Sequence, residues 1–294
     1  MSKLASLAGV ILVLNFALSG CATKRTAGWE KEQEVSQMNS KVEKELFKSA
    51  MVYWDKRDDK ASLEKSLEIF EDLVKASPSN YQYLVYLCRG YYLLSDGHIQ
   101  DMAEKKRLWE KGITWGERAL TTNPAFKEKV VKVDGKIEDA LDTLTKDNIE
   151  AIYWTAVNLG KWAKNSNIAT VLKYKTRIKA MINRVGELDR NFFFGAFDRY
   201  WGTYYAVAPG FAGGDMAKSA ESYEKSILTE KNYLGTYVLY AEVYATKKGD
   251  KKLFKEKLEY VLKADAGKVK AIAPENMIEK RKAKALLAKM KELF

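Results

Sequence analysis

Along this chain apolar residues return every three or four positions. They do so at Leu63, Leu67, Phe70 and Val74, at Met216, Ala220, Tyr223 and Ile227, and at Leu258, Val261 and Leu262. That spacing places each set on one face of a helix. No stretch sustains the strict alternation of apolar and polar residues that a half-buried strand requires. The four prolines, Pro78, Pro124, Pro209 and Pro274, fall between the periodic segments, where a missing amide donor costs nothing. The pattern predicts an all-α chain.

Internal similarity refines that expectation. "EKSLEIFEDLVKASP" (Glu64 to Pro78), "WGERALTTNP" (Trp115 to Pro124) and "GDMAKSAESYEKSI" (Gly214 to Ile227) resemble the second helix of a tetratricopeptide repeat. Small, aromatic and small residues follow in order at Ser66, Phe70 and Leu73, and again at Ser219, Tyr223 and Ser226. The small residues let two helices approach, and the aromatic fills the gap to the next pair. "RVGELDR" (Arg184 to Arg190) looks like the end of another such helix, and the Gly-Asp pair at 214–215 recurs at 249–250, near the period of about 34. The intervals from Pro78 to Pro124 and from Pro124 to Arg190 exceed that period, so insertions interrupt the stack, among them the polar segment 127–148. We expect an irregular superhelix of tetratricopeptide-like antiparallel helix pairs, forming one compact domain over residues 40–294.

The N-terminus carries an address. A short basic start with Lys3 leads into an apolar run from Leu4 to Leu18, too short to span a membrane stably, and then into Leu18-Ser19-Gly20-Cys21. This resembles a bacterial lipobox. It predicts a signal peptide over 1–20, cleavage after Gly20, acylation of Cys21 and a lipidated linker over 21–39. Several acyl chains, at roughly 0.8 kcal/mol per buried methylene, give a stable anchor. Ala22 and Thr23 supply no acidic retention signal, which favours the outer membrane and a periplasmic body.

Charge and chemistry narrow the function by exclusion. The formal charge is +11, and losing Lys3 with the leader leaves 49 basic against 39 acidic residues. Opposite charges are interleaved, as in "KVEKELFK", so the basic surface reads as solvated and no nucleic-acid stripe stands out. Cys88 lies in the apolar run "YLVYLCRGYYLL" and reads as a small core residue. His98 is the sole histidine, in a loop-like "SDGHIQD", and cannot complete a metal set. There is no phosphate-cradling glycine motif and no nucleophile elbow. The chain reads as a non-enzyme without metal or cofactor.

Aromatic residues are the excess, with 17 Tyr, 11 Phe and 7 Trp. They concentrate in "AIYWTAVNLGKWA" (151–163) and "NFFFGAFDRYWGTYYAVAP" (191–209). In the second, Phe193, Phe197, Tyr200, Tyr204 and Val207 share one helical face, while Phe194, Trp201 and Tyr205 share another. Such a helix packs between two neighbours. Either these rings are core, or Tyr153, Trp154, Tyr200, Trp201, Tyr204 and Tyr205 line a cavity for an apolar or amphipathic ligand, with Gly195 and Gly202 leaving room beside them. Arg184 is the candidate counter-charge to a carboxylate, and Glu187 or Asp189 could claim it locally. After the second cluster, "APGFAGGD" packs Pro209, Gly210, Gly213, Gly214 and Asp215 into a corner: Pro209 ends a helix, the glycines allow positive φ or close approach, and Asp215 caps the next helix.

Taken together, the lipobox, "YWTAVNLGKW", "INRVGELD", "GTYYAVAPGFAGGD", "VLYAEVYA", "LFKEKLEYVLKAD", "APEN" and the terminal "KALLAKMKELF" resemble the T-component (TatT) family of TRAP-transporter-associated periplasmic lipoproteins. Pro209, Gly213, Gly214 and Asp215 match that family's corner. The resemblance implies cryptic repeat pairs, a homotrimer, an apolar-lined pore or cavity in each protomer, and a periplasmic TRAP-type solute-binding protein as partner. A hydrophobic small molecule such as an organic acid is its implied cargo. Gly186 and Arg190 depart from the family's usual alanine and proline. The alternative class is a repeat scaffold that binds protein segments during envelope assembly.

Overall fold

Asparagine and aspartate open the helices. In the computed structural model, which describes residues 21–294, the side chains of Asn39, Asp59, Asn80, Asp101, Asn167, Asp215 and Asp250 each accept a backbone amide at the start of the helix that follows. Each cap satisfies donors that the first helical turn leaves free. The leader reading, with Leu18, Ser19 and Gly20, lies outside the described residues.

The helices are α1 (Ser40–Trp54), α2 (Lys60–Ala76), α3 (Tyr81–Gly97), α4 (Met102–Leu120), the short α5 (Pro124–Lys127), α6 (Ile149–Lys164), α7 (Ile168–Leu188), α8 (Phe192–Val207), α9 (Met216–Thr229), α10 (Leu234–Leu239), α11 (Thr246–Lys248), α12 (Lys251–Lys263), α13 (Ala273–Ala288) and α14 (Met290–Leu293). A wider π-helical turn, Tyr240–Ala245, joins α10 to α11. No strand occurs among the described residues. Short connections make hairpins of α1 with α2, α3 with α4, α6 with α7, α8 with α9, and α10–α11 with α12.

The small-aromatic-small positions do the work their spacing predicts. Ser66 and Ser219 are fully buried, and their hydroxyls donate to Ala50 O (3.0 Å) and Gly202 O (2.6 Å) on the preceding helix. Phe70 and Tyr223 are fully buried between helices. The polar segment 127–148 holds only short helical turns, yet it buries Val130, Ile137, Leu141 and Leu144 against the main core.

The last long helix closes the stack. α13 packs on α10 and α12 and also reaches α3, with Ile278 filling the space beside Gly97. Glu275 takes a bidentate pair from Arg57 (2.8 and 2.7 Å) and a third bond from Arg89 (2.6 Å). Arg281 donates to Asp58 O at 2.7 Å. Asp96 on α3 is gripped by Lys161 of α6 and Lys282 of α13. Burial alone would raise the Glu275 and Asp96 carboxyls, but the adjacent guanidinium and ammonium groups outweigh it and hold both below the usual carboxylate range.

Residues 21–39 touch the helical body at several points. The stretch after Cys21 lies as a strap across α4 and the start of α7. Asn167 donates to Cys21 O (3.4 Å), Thr23 N donates to Thr170 Oγ1 (2.8 Å), and Arg25 and the Gly28 amide both bind Glu117, at 2.9 and 2.7 Å. Arg25 and Glu117 side chains are each 3 % exposed. A side chain at Gly28 would run into Thr114 O, so only glycine lets the strap lie this close to α4.

Candidate functional site

The sequence-predicted residues separate into three groups. Tyr153 and Trp154 of α6 belong to the buried core, 7 % and 2 % exposed. Tyr200, Trp201, Tyr204 and Tyr205 are half-buried along α8. Lys179 of α7 lies over the rings of Trp201 (5.3 Å) and Tyr204 (4.9 Å), and the Tyr204 hydroxyl donates to Ala212 O at 2.6 Å. Arg184 stands apart from both groups: it pairs with Glu187 (3.0 Å) and donates to Leu144 O (2.8 Å). Of the two arrangements expected for Arg184, the local pair with Glu187 is the one the structure holds.

A different arginine, Arg199, lies within the aromatic cluster, and the sequence pattern does not single it out. α8 begins with a left-handed turn, Phe193 (φ 42°), Phe194 (φ 58°) and Gly195 (φ 74°). Left-handed backbone costs a residue with a Cβ about 1–2 kcal/mol, so the two phenylalanines are held there by their surroundings. The turn takes Phe193 and Phe194 off the helical faces that regular spacing assigns them. It aims their carbonyls at the Arg199 guanidinium, which donates to Phe194 O (2.9 Å) and Phe193 O (3.1 Å). Longer bonds of 3.5 Å reach Thr236 Oγ1 and Tyr153 Oη, and the guanidinium lies 4.3 Å over the Tyr233 ring. Arg199 is 4 % exposed, and none of its four hydrogen bonds reaches a carboxylate.

Around this arginine the rings form a nest. Phe193 meets Trp154 edge-on at 4.8 Å and Tyr153 at 5.9 Å, and Phe194 stacks on Tyr233. Tyr92 of α3 approaches Trp154 at 5.4 Å. On the other side of Phe193 lies Arg89, 5.0 Å from that ring and 5.4 Å from Trp154. Tyr92, Phe193 and Tyr233 keep partial exposure, so the nest has open edges. Burial pushes the Tyr92 and Tyr233 hydroxyls far up, which keeps both neutral donors. Arg57 and Arg89 share the Glu275 carboxylate, which does not reach Arg199. The Trp154 and Trp201 indole N–H groups are buried without a hydrogen-bond partner in the structure.

The glycines in α8 have a different purpose from the one expected. A Cβ on Gly195 would meet Ser226 and one on Gly202 would meet the Tyr223 ring, each at 3.0 Å, so both admit α9 and neither makes room for a ligand. At the corner, Gly213 takes φ 94° while Gly210 sits in a short 3-10 turn, and the Gly214 Cβ position falls 1.8 Å from Ala208 O. Pro209 N-caps that turn, and Asp215 accepts the amides of Ala217 and Lys218. Gly186 abuts the Phe197 ring, where a Cβ would come within 2.3 Å. Arg190 pairs with Asp198 at 2.6 Å.

The profile of the TRAP transporter T-component family matches residues 59–294. The chain belongs to that family. It is therefore a transporter-associated protein, and no helix among the described residues is long and apolar enough to cross a membrane. A search of curated proteins returns no match. The T-component family is one of transport accessories, and the groups most suited to catalysis are engaged structurally. The His98 ring is half-buried against Arg57 O (3.1 Å), and burial pushes the Cys88 thiol up to about 12. Surface hollows of about 310 Å³ beside Asn232, Tyr260 and Lys263 and about 220 Å³ beside Lys129 and Lys136 are lined by none of the rings of the aromatic nest of this T-component.

Proposed function

We propose that this T-component is a periplasmic lipoprotein, anchored through Cys21 to the outer membrane, that receives an amphipathic organic acid in the nest around Arg199 and passes it to a solute-binding partner. The observation that carries the ligand class is the buried Arg199 guanidinium, which lies over the Tyr233 and Phe193 rings and hydrogen-bonds to carbonyl and hydroxyl oxygens only. A buried charge of this kind is costly, and a ligand carboxylate would compensate it while its apolar tail covers the rings. Closure of the stack by α13 supports a carrier over an open peptide-binding scaffold, because the groove edge that a scaffold offers is occupied.

For the protein partner, the α8–α9 corner offers an apolar knob: Phe211 is 96 % exposed and Val207 46 %. Self-association into a trimer belongs to the same proposal, and sedimentation of the acylated chain tests it.

The ligand test compares dodecanoate with dodecanol by tryptophan fluorescence. The wild-type protein should prefer the carboxylate, and Arg199→Gln should lower that preference about tenfold or more, since a charge-assisted bond contributes roughly 1.5–3 kcal/mol. The alcohol's affinity serves as the internal control for folding. Arg184→Gln should leave the ratio unchanged. An unaltered ratio in Arg199→Gln removes Arg199 from the site.

A further inference from the structure

We propose that the strap makes the lipid anchor a rigid mount, so that the α6–α7 corner is seated on the bilayer surface. The inference rests on the reading of Cys21 as the acylated residue. Cys21 is exposed, and its carbonyl is held by Asn167, the residue that caps α7. The two residues that follow on the outer face of α7 are aliphatic and open: Ile168 is 74 % exposed and Leu172 63 %. They are one turn apart on the same helical face. An acyl chain leaving Cys21 therefore enters the bilayer beside two side chains suited to its interfacial region.

The charge pattern fits the same occupant. From Ala151 to Gly186 the chain has seven lysines and arginines and no acidic residue. Lys161, Arg177 and Arg184 of that set are paired with Asp96, Glu138 and Glu187. Lys164 and Lys173 are exposed at the corner, and no carboxylate pairs with them among the described residues. Lys24 is exposed three residues from the acylation site. Aliphatic residues flanked by unpaired lysines are what an anionic lipid surface attracts.

The strap supplies the rigidity. Its hold on the body includes the buried Arg25–Glu117 pair, the Gly28 amide on the same carboxylate and Thr23 on Thr170. Slack in the tether would let the body tumble; this anchorage fixes which face meets the lipid.

The test uses the full acylated chain in vesicles of phosphatidylethanolamine and phosphatidylglycerol. Acylation blocks Cys21, and Cys88 is fully buried, so Leu172→Cys offers a single site for an environment-sensitive nitrobenzoxadiazole label. Lys252→Cys on α12 is the reference site. The expected result is blue-shifted emission at position 172 and aqueous emission at position 252, with the protein floating with the vesicles. In Arg25→Ala/Glu117→Gln, which removes both charges of the pair that holds the strap to α4, the protein should still float while the shift at position 172 is lost. Flotation with aqueous emission at 172, equal shifts at 172 and 252, or a shift that survives the strap variant each overturns the rigid mount. A chain that does not float at all overturns the acylation of Cys21 and the mount with it.

Discussion

Replacing Glu275 with alanine is expected to lower the unfolding free energy by about 3–5 kcal/mol, the usual cost of leaving buried charges without their partner. Glu275 is 3 % exposed and its carboxylate holds both Arg57 and Arg89, whose guanidinium groups also lie over the Trp54 ring. Urea denaturation followed by far-ultraviolet circular dichroism measures the loss. A change below about 1 kcal/mol, the range of exposed pairs, would show that the clasp is idle.

Glu275 and Asp96, the two carboxylates that link α13 to α3, give a pH signature. Folded Glu275 and Asp96 ionise below their ordinary values of 4.5 and 3.8. Their contribution is therefore complete above those values and is lost as pH falls through the folded-state values. Glu279 works in the opposite sense. Burial raises its carboxyl despite Lys282, so its contribution is present below 4.5 and lost as pH rises through its folded value. Glu275→Ala should flatten the acid limb of the stability profile as well as lower its plateau.

Trp154→Ala should cost a further class of stability, about 3–5 kcal/mol, because a large side chain leaves a cavity that the helices around it cannot close. Trp154 is 2 % exposed and touches Tyr92, Tyr153 and Phe193. Tyr204→Ala, by contrast, removes a half-buried ring with one hydroxyl bond, and about 1 kcal/mol is expected. Denaturation midpoints of the two variants decide the matter. Equal losses would mean that the α8 rings are core like Trp154, and the division of the aromatic residues into buried and half-buried groups would fall.

Much of the fold was legible in the chain because helical periodicity, proline placement and small residues act locally. Ser66, Phe70, Ser219 and Tyr223 carry their packing role in their spacing alone. The candidate site was legible only in outline. Arg184 and Arg199 look equivalent in one dimension, each with an acid close by in sequence, and the difference arises from the left-handed turn at Phe193–Gly195. Regular spacing cannot foresee such a turn, since it is held by contacts with α6 and α10. The one local hint was Gly195 directly after three phenylalanines. The strap was equally hidden, because its partners, Glu117 and Thr170, lie 92 and 147 residues from Arg25 and Thr23.

The clasp between Arg57 and Glu275 joins residues 218 positions apart. An open stack of hairpins can gain order unit by unit, each leaning on the one before. Here the first hairpin lacks its final neighbour until α13 has been synthesised, and the entropy of closing so long a loop is met in a single late event. Loss of the last twenty residues would be felt first at the opposite end of the sequence, in the packing of α1 and α3.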